Sequence, residues 1–208
     1  MTPNPCFKKC FHTYARFPVL CFLLLTTLCA RASVIEVTSS ADAHLRDNAA
    51  KTLNYGASST SYLTESGLQR AILRFDLPEF DSASLAGVEL SLTLGGNITN
   101  QPLKVWILLD GVHEDWVEGD GIGTETVNDG DPSNDDWITW QLTYNELLDH
   151  FVELGKKTVS GNNGQVITLS DADLDGYPLV HALRQNTDGT ITLMVGIDDE
   201  ISPAAPVR

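Results

Sequence analysis

The sequence predicts an all-β protein, an antiparallel β-sandwich of jelly-roll type with one or two short helices. Three observations predict it. Apolar and polar residues alternate over many short segments, the period of half-buried strands. Clusters of Gly, Asn and Asp separate those segments. All four cysteines (Cys6, Cys10, Cys21, Cys29) lie in the first 32 of the 208 residues, so the remaining chain must stand on one hydrophobic core without disulfides, and its length allows that. A two-sheet antiparallel architecture meets all three conditions.

Taken in order, Val34 to Thr38 alternates and reads as the first strand. Arg70 to Leu77 (RAILRFDL) sets Ile72, Arg74 and Asp76 on one face and Ala71, Leu73, Phe75 and Leu77 on the other. Val88 to Leu94 is the cleanest case, with Val88, Leu90, Leu92 and Leu94 facing one way. Leu103 to Leu109, Trp137 to Leu142, Val166 to Leu169 and Thr190 to Val195 complete the strands. Turns are expected at Asn54-Tyr55-Gly56, Gly95-Gly96-Asn97, Gly161 to Gly164 and Asp188-Gly189. Two segments suggest helices. Thr143-x-x-Glu146 is a capping box ahead of Leu147, Leu148, Phe151 and Val152, and Ser170-x-x-Asp173 opens a second start limited by Pro178.

The amino terminus reads as an address. Lys8, Lys9 and Arg16 precede a 14-residue apolar run, Phe17 to Ala30, and Ala30-Arg31-Ala32 supplies small residues for cleavage. Residues 1–32 are therefore expected to be a secretory signal cut after Ala32, and residues 33–208 a single secreted domain with no membrane attachment. The run is short of the roughly 20 residues of a spanning helix.

Charge narrows the function. Beyond residue 32 there are 9 basic and 28 acidic side chains, a formal charge of −19, which leaves no electrostatic footprint for nucleic acid. There is no G-x-S-x-G and no H-E-x-x-H, and Gly119 to Gly123 (GDGIG) lacks the third glycine of a dinucleotide loop. No catalytic residue is assigned, and the expectation is a protein that is not an enzyme.

ADAHLR (Ala41 to Arg46), NYG (Asn54 to Gly56), RAILRFDL, VELSLTL (Val88 to Leu94) and WVEG (Trp116 to Gly119) occur in that order. Their order and spacing resemble the bacterial DNRLRE-type domains grouped with carbohydrate-binding module family 96, over most of residues 34–200. The resemblance implies a non-catalytic jelly-roll sandwich on a secreted or surface protein, often beside polysaccharide-degrading domains. The acidic loop from Gly119 to Asp136 is longer here than in compact members.

Sugar recognition stacks aromatic faces on the C–H faces of pyranose rings. Trp137 and Trp140 must point to opposite faces of a strand, and Trp140 shares the face of Ile138, so Trp137 is the outward member. Trp116, Trp137 and Tyr144 are the expected ligand-binding residues. Ten carboxylates and no Lys or Arg lie between Asp110 and Asp136. A hard cation relieves such crowding, so calcium is the one cofactor considered, on Asp129, Asp131, Asp135 and Asp136. Asp171-x-Asp173-x-Asp175-Gly176 also matches the start of a calcium loop but doubles as a helix cap. Arg46, Arg70 and Arg74 are expected to pair with acids such as Asp42 or Asp76. The expected partner is a polysaccharide, neutral or bridged by calcium. The alternative is a structural or adhesive extracellular sandwich with no small ligand.

Overall fold

The computed structural model describes residues 34–46, 52–57, 63, 69–109, 116–119, 138–139, 143 and 147–197. The protein is mostly β, with two antiparallel sheets and one α-helix among the described residues. The strands are β1 (Ala41–Arg46), β2 (Gln69–Asp76), β3 (Glu89–Thr93), β4 (Ile98–Leu108), β5 (Phe151–Gly161), β6 (Val166–Ser170) and β7 (Thr190–Ile197), with helix α1 at Leu179–Gln185. Five strands form one sheet in the order β1-β2-β7-β4-β5, and β3 pairs with β6 in the other. The pairings β2 with β7, β3 with β6 and β4 with β5 are nested in sequence. No helix among the described residues is long and apolar enough to cross a membrane.

The middle of the five-stranded sheet is buried on both faces. On one, Ala71, Val105, Leu154, Leu193 and Val195 pack with Leu90, Ile167 and Leu169 of the smaller sheet and with Leu179 and Leu183 of α1. On the other, Ile72 and Met194 join Ala43, Leu45, Leu108, Trp116, Ile138 and Leu147. Alternation along β2, β4 and β7 sends neighbours to opposite cores.

Four expectations change. Val34 to Thr38 is irregular, with Val34 85% exposed, and the first strand is instead ADAHLR. That segment alternates equally well and lies within reach of β2, pairing Ala43 with Ile72 and Leu45 with Arg70. β4 begins five residues before Leu103, running over polar Thr99 to Gln101 through a register shift beside Asn100, whose φ is 51°. The Thr143 helix ends early: Thr143 and Leu147 are helical, a 3-10 turn covers Leu148–His150, and the chain then extends into β5. Phe151 and Val152 follow β4, whose Leu108 and Ile107 they oppose, because a strand edge offers them ladder bonds that a short helix does not. The expected strand at Trp137 to Leu142 lies outside the described residues apart from Ile138 and Thr139; there Ile138 donates its N–H to the Val117 carbonyl at 2.8 Å.

The second helix does not start at Ser170. The Asp173 carboxylate accepts from the Ser170 N–H and hydroxyl, both at 2.9 Å, and closes a turn. Asp171 reaches forward instead, accepting from the N–H groups of Leu179 at 2.6 Å and Val180 at 3.2 Å. Pro178 stands at the N-cap and has no capping side chain to offer, so Asp171 supplies it from seven residues upstream.

Candidate functional site

ADAHLR, NYG, RAILRFDL and WVEG interlock on one face of the five-stranded sheet, while VELSLTL forms β3 of the other sheet. Trp116 is 4% exposed. Its indole N–H donates to the Thr192 hydroxyl at 3.0 Å, and its carbonyl accepts from the Arg74 guanidinium at 2.7 Å. The same guanidinium lies 5.3 Å from the centre of the Trp116 ring. Asn54 is fully buried and its amide donates to the carbonyls of Glu118 (2.8 Å) and Ile138 (3.0 Å), while its oxygen accepts from the Gly56 N–H at 3.1 Å. A side chain at Gly56 would collide with the Glu118 carbonyl, so glycine is required by that close approach. NYG thus clamps the Val117–Ile138 pair from which the acidic segment leaves and to which it returns. The expectation that Trp116 presents a stacking face to sugar is corrected: its ring is a core group, held by Arg74 and Thr192.

Arg70 and Trp106 form a second such unit. Arg70 is fully buried and stands one row across from Gly196. A Cβ on Gly196 would strike the Arg70 side chain, so that glycine is the channel by which Arg70 crosses β7. Its guanidinium ends 5.4 Å from the Trp106 ring centre, with the Lys104 ammonium 5.3 Å from the same centre. Lys104 also pairs with Glu153 at 2.8 Å. At the sheet edge, Arg46 lies 5.4 Å over Tyr55 and donates to its hydroxyl at 3.4 Å, and buried His44 meets Gln69 at 3.1 Å. Among the described residues the hydrogen bonds of Arg46 and Arg74 go to the Tyr55 hydroxyl and the Trp116 carbonyl, and Arg74 also attracts the Glu118 carboxylate. Desolvated cation–ring contacts are worth about 2 kcal/mol each.

Carboxylates complete the picture. Burial pushes the Asp42 carboxyl above its usual range. Glu118 is pushed up by burial first and by repulsion from Asp42, against the opposing effects of the Asp42 backbone N–H bond and Arg74. Asp173 is pulled down to about 2, first by its bond to Lys157 and then by the two bonds from Ser170. The Asp171-Asp173-Asp175 run is accordingly structural: Asp171 holds the helix, and Asp173 holds Ser170 and Lys157 at 2.8 Å. Among the described residues no three His, Cys, Asp or Glu converge as metal ligands. Asp129, Asp131, Asp135, Asp136, Trp137 and Tyr144 lie outside the described residues.

Five described aromatics are partly exposed: Phe75, Phe80, Trp106, Phe151 and Tyr177. Tyr177, partly exposed, meets exposed His181 edge to face at 5.3 Å and donates its hydroxyl to Gln185 at 2.9 Å. These three residues recur every four positions, the spacing of one helix face, and that spacing was the signal in the sequence. A pocket of about 80 Å³ opens beside them, between α1 and the adjoining ends of β4 and β7.

No model of a known family matches the chain, and no curated protein matches it.

Proposed function

We propose that the protein is a secreted, non-catalytic polysaccharide-binding domain of the jelly-roll type, similar to carbohydrate-binding module family 96. The observation that supports it most is the convergence of ADAHLR, NYG, RAILRFDL and WVEG on one sheet face, where they bond to one another rather than occurring in order by accident. Nested pairing of β2 with β7, β3 with β6 and β4 with β5 is what a hairpin ribbon rolled around a core produces, and it favours the jelly-roll wrap. The Val117–Ile138 pair closes the segment that carries Trp137 and the acids Asp129 to Asp136, the proposed glycan and calcium region.

The ligand in this reading is neutral, or anionic and bridged by calcium. Of the basic groups, Arg70 is buried, Arg46 and Arg74 rest on rings, Lys104 and Lys157 are ion-paired, and Arg184 donates to the Leu85 carbonyl at 2.6 Å. Few remain to grip a polyanion. A glycan array and pull-downs on alginate and a neutral glucan, each with calcium and with chelator, test this. Binding of a neutral glycan, or of alginate only with calcium, is expected; alginate retained in chelator would sink the charge argument. A second reading, a structural sandwich without a small ligand, is favoured by the burial of Trp116, and a blank array with all glycans would establish it.

A further inference from the structure

We propose that the pocket beside Tyr177 is a subsite for the acetamido group of a neutral N-acetylated amino sugar. The inference rests on the carbohydrate-binding reading and names one surface and one sugar class for it. The pocket is lined by Ile107, Leu108, Ala182 and Ile191, with Tyr177 and Gln185 as polar members. The pocket, about 80 Å³, opens to solvent on one side, so a small substituent can enter while the ring that carries it stays at the mouth. The apolar lining selects a methyl-bearing group over a hydroxyl, and no charged side chain lines the pocket.

The polar atoms then choose among methyl-bearing groups. Asn186 also lines the pocket, but its amide is spent on Asp188, on the Thr190 carbonyl and on the Gly189 N–H. The Tyr177 hydroxyl gives its proton to the Gln185 side-chain oxygen. That leaves a phenolic lone pair as an acceptor and the Gln185 NH₂ as a donor. An acetamido group carries one N–H and one C=O beside one methyl, the matching set. A 6-deoxy sugar carries the methyl alone and leaves both protein groups without a ligand partner. His181, edge-on to the Tyr177 ring, fixes that ring at the pocket wall.

The test titrates the mature chain with chitotriose and, as a control of the same backbone and charge, cellotriose, following Ile107 and Ile191 methyl resonances. Chitotriose is expected to shift both methyls, with cellotriose at least about tenfold weaker. Gln185→Ala is expected to weaken chitotriose on the order of fivefold, the worth of one neutral hydrogen bond. Gln185 is exposed, so that variant keeps the fold, and Arg184→Ala on the same helix serves as the unaffected control. Equal binding of both trisaccharides, or chitotriose binding that leaves the pocket methyls unmoved, overturns the subsite while a positive glycan array keeps the broader reading. Absence of binding to any glycan overturns both.

Discussion

Arginine in this protein is a packing residue. Arg70 crosses a neighbouring strand over Gly196, reaches Trp106 and is fully buried there; Arg74 holds both the ring and the carbonyl of Trp116. Planar guanidinium groups suit this use because they stack on a ring and still donate in their plane. Glycine at 196 follows from the same arrangement. Gly196→Ala is therefore expected to push Arg70 off its ring and to destabilise the fold by about 2 kcal/mol or more, combining overpacking with the lost contact. Urea unfolding measures it. A Gly196→Ala/Arg70→Met double variant should recover part of the loss, because the unbranched thioether can bend around the new methyl. If the single variant is as stable as the parent, the close approach is not what holds Arg70.

At the scale of elements, strands with one unbroken period were legible and interrupted ones were not. RAILRFDL and VELSLTL alternate from end to end, and β2 and β3 follow them within a residue or two. β5 does not alternate: a register shift opposite Val105 and Trp106 falls at Gly155, with φ at 132°, so Glu153 opposes Trp106 while Lys156 opposes Lys104. The bulge moves the outward residues from odd to even positions and erases the period. With the period gone, Phe151 and Val152 matched the helical spacing of Leu147 and Leu148, which are helical, although they themselves extend into β5. The site was less legible than the fold. An exposed and a buried tryptophan look alike in sequence, and the Trp116 contacts come from Arg74 and Thr192, far away in the chain. Asp171 shows the same limit for acids, since its calcium-like spacing serves helix α1. Asp171→Ala is expected to cost about 1 kcal/mol, the worth of a lost helix cap, and to leave calcium affinity unchanged. Thermal unfolding and isothermal titration on the same samples read both; a drop in calcium affinity would return Asp171 to the metal ligands.

For the molecule as a whole, acidity governs stability. Asp42 and Glu118 have folded pKa values raised above their usual 3.8 and 4.5. The folded state therefore binds more protons than the unfolded state in the window above those values. That stabilisation is fully present below the unfolded values and is lost as pH rises through the folded ones. Repulsion among the surplus carboxylates acts in the same direction, because protonation relieves it most in the compact state. Asp173 acts oppositely: its contribution is present above 3.8 and is lost as pH falls toward about 2. Together these put the stability maximum on the acid side of neutrality. The melting temperature is expected to rise from pH 7 toward that maximum and to fall below about pH 4, as Asp173 is protonated. Asp42→Asn with Glu118→Gln should flatten the rise by removing the two titrating groups, and Lys157→Met should flatten the acid-side fall by removing the first cause of the low Asp173 pKa. Added salt separates the contributions, since screening weakens the general repulsion at pH 7 and leaves the burial of Asp42 and Glu118 untouched. A rise that vanishes in salt but survives the double substitution would assign the pH dependence to net charge alone.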